Sequence, residues 1–97
     1  MPLIKIEMLK GKPAEYKRIL LDEVHKALVE SIKIPDHDRN QRIIEFEEAN
    51  FEVSSGKTRD AVYIEITLFE GRTLEAKKTL YQNIVKRLEK ELMIKPD

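Results

Sequence analysis

Ninety-seven residues make one small domain with room for a single core, and 41% hydrophobic residues with only three Gly and four Pro describe a folded chain rather than a disordered one. Eighteen Lys and Arg balance eighteen Asp and Glu, which excludes the basic footprint of a nucleic-acid or anionic-membrane binder. With no cysteine there is no disulfide, thiol nucleophile or cysteine-held zinc, and no apolar run approaches the roughly 20 residues of a membrane span, so a cytoplasmic protein is expected.

The start Met1-Pro2-Leu3-Ile4-Lys5 lacks the charged-then-apolar order of a secretory signal. From Leu3 to Leu9, Ile4, Ile6 and Met8 alternate with Lys5 and Glu7, which predicts a strand. After Gly11-Lys12-Pro13, apolar residues at Leu20, Val24, Ala27, Leu28 and Ile32 recur at helical spacing opposite a charged face, predicting a helix over Ala14 to Lys33 that Pro35 stops. A polar loop, Asp36-His37-Asp38-Arg39-Asn40, leads into a strand over Gln41 to Glu47, where Ile44 and Phe46 alternate with charge. A second loop runs from Asn50 to Asp60. Ala61 to Phe69 forms the strongest strand pattern, with Val62, Ile64, Ile66 and Leu68 on one face. Thr73 to Met93 reads as a second helix, turning Leu80, Ile84, Leu88 and Leu92 inward.

A shift of sixty residues superposes Ile4, Ile6, Gly11, Lys17, Leu20 and Leu28 on Ile64, Ile66, Gly71, Lys77, Leu80 and Leu88, and sets Lys12 on Arg72. The chain is therefore one domain, 1–97, with an internal repeat of 2–48 and 61–97. It reads as an α+β fold of duplicated β-α-β units sharing one sheet, both helices on one face. In copy one Ile34-Pro35-Asp36 precedes a strand, whereas copy two ends at Pro96-Asp97. The second unit is thus expected to lack its last strand, in a portion of a natural product roughly 25–35 residues longer. The other sheet face, with Leu3, Lys5, Glu7, Tyr63, Glu65, Thr67 and Phe69, is too apolar for water and too polar for a dry core, and a subunit interface is its expected cover.

The duplication, together with Met1-Pro2-Leu3-Ile4, the loop Pro35 to Gln41, Glu48-Ala49-Asn50-Phe51, and Phe69-Glu70-Gly71-Arg72-Thr73 leading into Lys77 to Tyr81, resembles the tautomerase superfamily. That group includes 4-oxalocrotonate tautomerase, macrophage migration inhibitory factor and malonate semialdehyde decarboxylase, and the likeness is greatest to the decarboxylase-like branch. The resemblance implies removal of Met1, a free Pro2 amine as catalytic acid or base, no cofactor, a small carboxylate substrate and a homotrimer of such sheets. If Met1 stays, Pro2 is an amide and cannot take a proton.

A terminal proline nitrogen keeps its lone pair on a rigid ring, and burial disfavours its charged form, which suits a general base. Arg72, behind Gly71 at the start of the second helix, can clamp a carboxylate and stabilise an enolate. The decarboxylase branch carries Arg-x-Arg in this turn, and Glu70 stands here in the first place, which weakens a decarboxylase assignment. Asp38 matches a loop carboxylate of that branch. Beside the amine it favours the ammonium form, suiting an acid role in hydration or decarboxylation. Arg39 and Gln41 complete an Asp-Arg-x-Gln run that contacts substrate or ties the loop together. His25 reads as a semi-buried helix histidine, although one dehalogenase branch contacts substrate through a histidine of the corresponding helix. His37 has no third partner for a metal, and none is assigned. Three functions stay open: a keto-enol tautomerase using Pro2, a decarboxylase- or hydratase-like lyase, and a non-catalytic ferredoxin-like assembly module.

Overall fold

A computed structural model describes residues 2–53, 60–68 and 73–93. In chain order the elements are β1 (Leu3–Leu9), α1 (Ala14–Ile32), β2 (Gln41–Phe46), a 3-10 turn at Glu48–Asn50, β3 (Val62–Thr67) and α2 (Leu74–Leu92). Each lies within a residue or two of the bounds that periodicity predicts, and the differences fall at element ends. α1 stops one residue short because Lys33 takes the left-handed conformation, φ 60°, and its N–H bonds the Val29 carbonyl. α2 opens on Thr73, whose hydroxyl accepts from the Ala76 N–H at 3.0 Å, and closes on Met93 at φ 57°. Lys33 and Met93 are sixty residues apart, so both copies end their helix by the same device. The expected end of β3 at Phe69 and the chain end at 94–97, on which the missing strand was argued, lie outside the described residues.

One sheet carries the order β2-β1-β3. β1 runs parallel to β2, from Ile4 opposite Gln41 to Leu9 opposite Phe46, and α1 is the crossover such a pair requires. β1 is antiparallel to β3, with Leu3 opposite Thr67 and Met8 opposite Val62. In that register Lys5 pairs with Glu65, its own counterpart under the sixty-residue shift. The two copies therefore meet about a pseudo-two-fold axis between these side chains, and their opposite charges make the crossing point attractive.

Both helices lie on one face of the sheet and close a single core. Ile4, Ile6 and Met8 of β1 are at most 2% exposed, beneath Leu20, Val24 and Leu28 of α1 and Leu80, Ile84 and Leu88 of α2. The buried Glu23 of α1 is answered from α2 by Arg87, whose Nη1 stands 2.9 Å from Oε1 and which also pairs with Glu30. Arg87 holds the Glu30 carboxyl below the ordinary carboxylate range through that bond. On the opposite face of the sheet, Phe51 stacks on Phe46 of β2 at 5.8 Å and meets Tyr63 of β3 edge-on at 5.7 Å. One end of that face is thus partly covered from within the chain, while Leu3, Ile44 and Tyr63 remain 37–39% exposed.

A non-glycine residue in the left-handed region is strained, as Lys33 is at φ 60°, and its charge adds only a minor attraction on the exposed Glu30 carboxylate. Lys33→Gly should raise stability by about 1 kcal/mol, read from urea unfolding midpoints, with no change in helix content by circular dichroism.

Candidate active site

Pro2 precedes β1, where a residue without an N–H removes no ladder bond. It is buried, and it shares the parity of Ile4, Ile6 and Met8, the helix-covered side of the sheet. The Ile4 N–H donates to the Asn40 carbonyl at 3.0 Å, so the end of the loop from α1 runs alongside the start of β1. This brings the Asp38–Gln41 stretch to the Pro2 end of the sheet. Met1 and Arg72, the other two residues that sequence reasoning placed at this site, lie outside the described residues.

The loop is held tightly. The Asp38 N–H donates to the Pro35 carbonyl at 3.0 Å, closing a β-turn with Asp36 and His37 at its centre. The Arg39 N–H donates to the His37 carbonyl at 3.1 Å, a γ-turn centred on Asp38. Asp38 itself is half-buried. Three contacts then bind this loop to α1. His25, 2% exposed, places Nε2 2.7 Å from the Asp36 carbonyl. Arg39 Nη2 stands 2.8 Å from Asp22 Oδ1, and Gln41 Nε2 donates to the Leu21 carbonyl at 3.1 Å. The guanidinium of Arg39 and the amide of Gln41 thus tie the loop to the helix, and Gln41 Oε1 is buried without a partner among the described residues. His25 is fully buried rather than half-buried as its sequence position implied. Its neighbours Leu21 and Asp22 stand one turn back on the same stripe of α1, and that stripe is the signal that could have pointed to the anchor.

Two further cations stand on the open sheet face near this end. Lys5 and Arg42 are cross-strand partners, and Arg42 Nη1 donates to Asn40 Oδ1 at 3.2 Å. Their repulsion is offset by Glu65 on the other side of Lys5.

At the far end of β1 lies a cleft of about 730 Å³ bordered by Leu9, Lys10, Gly11, Lys12, Glu47 and Asp60. Gly11 makes this turn because its φ of 123° is closed to side chains, although a Cβ there would meet nothing within 4 Å. Lys12 is the repeat counterpart of Arg72, yet it bonds Asp60 and lies 4.9 Å above the Tyr16 ring, and Lys10 bonds Glu47 at 3.0 Å. These carboxylates raise the pKa of both lysines, and each cation already has its anion. No three His, Asp or Glu side chains gather as metal ligands among the described residues, and no described helix is long and apolar enough to cross a membrane.

Residues 2–57 match one family model described as a tautomerase enzyme, and residues 38–97 match a second of the same description. "Probable tautomerase YusQ" of Bacillus subtilis (strain 168) is 29% identical, over 100% of this chain and 80% of that protein. A crystal structure of malonate semialdehyde decarboxylase superposes with a TM-score of 0.89 at 23% identity, covering 97% of this chain and 76% of that one. The FG41 malonate semialdehyde decarboxylase inhibited by 3-bromopropiolate superposes with a TM-score of 0.82 at 26% identity, covering 96% and 74%.

Gln41→Leu removes a donor together with a buried oxygen that lacks a partner among the described residues. It should leave stability within about 1 kcal/mol by urea denaturation.

Proposed function

Because the chain belongs to the tautomerase family, we propose that it is a cofactor-independent keto-enol tautomerase of a small 2-oxo or enol carboxylic acid, operated by Pro2 after removal of Met1. The observation that carries this reading is the burial of Pro2 at the start of the central strand, beside a loop locked around Asp38. In the keto-to-enol direction the neutral Pro2 amine takes a proton from the carbon next to the carbonyl. The C–H bonding pair becomes the C=C bond and the carbonyl π pair moves onto oxygen, where a guanidinium stabilises the enolate until the oxygen takes a proton from solvent. In the reverse direction the same nitrogen enters protonated and returns its proton to carbon, and the Asp38 carboxylate favours that charged form. Arg72 is assigned the substrate carboxylate. What supports it is its repeat counterpart: Lys12 reaches Asp60, two residues before Val62, the counterpart of Pro2. Arg39 and Gln41 border the same space and are assigned to substrate contact through whatever valence their bonds to α1 leave.

A second reading, a hydratase- or decarboxylase-like lyase, draws on Asp38. A carboxylate held rigidly next to an ammonium can orient a water for addition to an activated acid. The family match favours an enzyme over a non-catalytic module. The half-covered open face supports a homotrimer, in which copies would cover Leu3, Ile44 and Tyr63.

Intact mass of active protein should show loss of Met1, and 3-bromopropiolate should add to the Pro2 nitrogen, located by mass spectrometry of the N-terminal peptide. Full retention of Met1 with undiminished activity would sink the mechanism. Pro2→Ala should fold and lose about a hundredfold or more of kcat. Arg72→Ala should lower kcat/KM for a 2-oxo acid about ten- to a hundredfold, and unchanged kinetics would remove Arg72 from the site. Light scattering at micromolar concentration should give three times the chain mass, and a monomeric value contradicts the assembly.

A further inference from the structure

We infer that His25 is a positioning residue: from inside α1 it locks the peptide of the turn that presents Asp38 to Pro2. The inference rests on the reading of Pro2 and Asp38 given above.

A carbonyl oxygen only accepts, so the 2.7 Å contact between His25 Nε2 and the Asp36 carbonyl places the ring proton on Nε2. The acceptor is a particular one. In the turn from Pro35 to Asp38, the bond between Asp36 and His37 is the central peptide, and its carbonyl is the one His25 holds. Rotation of this central peptide separates type I from type II turns, and it is the soft coordinate of any β-turn. Type II also needs positive φ at the third residue, and among the described non-glycine residues only Lys33 and Met93 have it. His25 therefore fixes the one torsional freedom that a turn closed by the Asp38 N–H would otherwise keep. Because Asp38 is also the centre of the γ-turn that follows, its Cα–Cβ direction is set by that peptide plane.

The arrangement is costly for a merely structural histidine. His25 is 2% exposed, and Nδ1 is buried with no partner among the described residues; a leucine would fill the same space without such a nitrogen. The other two ties, Arg39 to Asp22 and Gln41 to Leu21, attach to residues downstream of Asp38. Among these three ties, His25 is the one that acts on the turn before it.

The test follows ketonisation of the enol of phenylpyruvate by ultraviolet absorbance, using the full chain. His25→Leu should lower kcat about ten- to a hundredfold with KM within about twofold. His25→Gln, whose amide can reach the same carbonyl, should recover most of kcat. In an Asp38→Asn background His25→Leu should cost nothing further, since both act through one carboxylate. If Asp38→Asn alone leaves kcat unchanged, the Asp38 reading fails and this role with it. If Asp38→Asn is impaired while His25→Leu matches wild type, or if the two losses add, the His25 role alone is overturned. Independently of any variant's folding, nitrogen-15 shifts of His25 in the wild-type protein should report the Nε2–H form, and an Nδ1–H form overturns the lock.

Discussion

β1 is hydrogen-bonded along both edges, parallel to β2 and antiparallel to β3, and that double pairing fixes the position of the residues that precede it. A strand with two neighbours has no freedom to slide, because a shift of one residue would turn Ile4, Ile6 and Met8 out of the core and Lys5 and Glu7 into it. The residue before such a strand is placed as firmly as the strand. Pro2 inherits its burial from Ile4, and the loop to β2 is drawn beside it by the bond between the Ile4 N–H and Asn40. A proline without an N–H is the residue that can occupy this position at no cost to the ladder.

The two copies share a scaffold and diverge in chemistry. Lys5 meets its counterpart Glu65 across the pseudo-axis, and both helices end on a left-handed residue. At the copy-one Gly turn, Lys12 is taken up by Asp60 and Lys10 by Glu47, so the far cleft presents closed ion pairs to an incoming carboxylate. Its strand begins with Val62 where the other copy has Pro2. Between the helices the symmetry also breaks: Arg87 stands where copy one has Ala27, and it reaches back to Glu23 and Glu30. A buried carboxylate left without that guanidinium would be an uncompensated charge, so the asymmetry fastens α2 to α1 in one register.

The elements were legible because their signals are local. Ile4, Ile6 and Met8 alternate, and Leu20, Val24 and Leu28 recur at three to four residues. The repeat was legible because Gly11 and Gly71 keep their spacing to the helices. The antiparallel sense of β3 was not, since alternation is the same whichever way a strand runs. The anchoring of the Asp38 loop was hidden for another reason. His25 and Gln41 both bond backbone carbonyls, and a carbonyl leaves no trace in residue identity. Arg39 and Gln41 read equally as substrate contacts or as loop ties, and their bonds to Asp22 and Leu21 account for part of each side chain. The cover of the open face by Phe51 escaped notice because its partners, Phe46 and Tyr63, lie on strands that are neighbours only through β1.

The open face bears on the proposed role of Pro2 through assembly. Phe51 bridges Phe46 and Tyr63 toward the end where β1 finishes, yet Ile44 and Tyr63, both opposite Glu7, stay as exposed as Leu3 beside Pro2. Pro2 is already buried within the single chain. A subunit seated against Leu3 would remove further water from the same backbone, and added desolvation disfavours an ammonium. Asp38, in the role proposed above, would work in the opposite sense from within the chain. On the reading of Pro2 as a free amine proposed above, two separate parts of the molecule would act on its protonation: the open face through assembly, and the α1 loop through the Asp38 carboxylate.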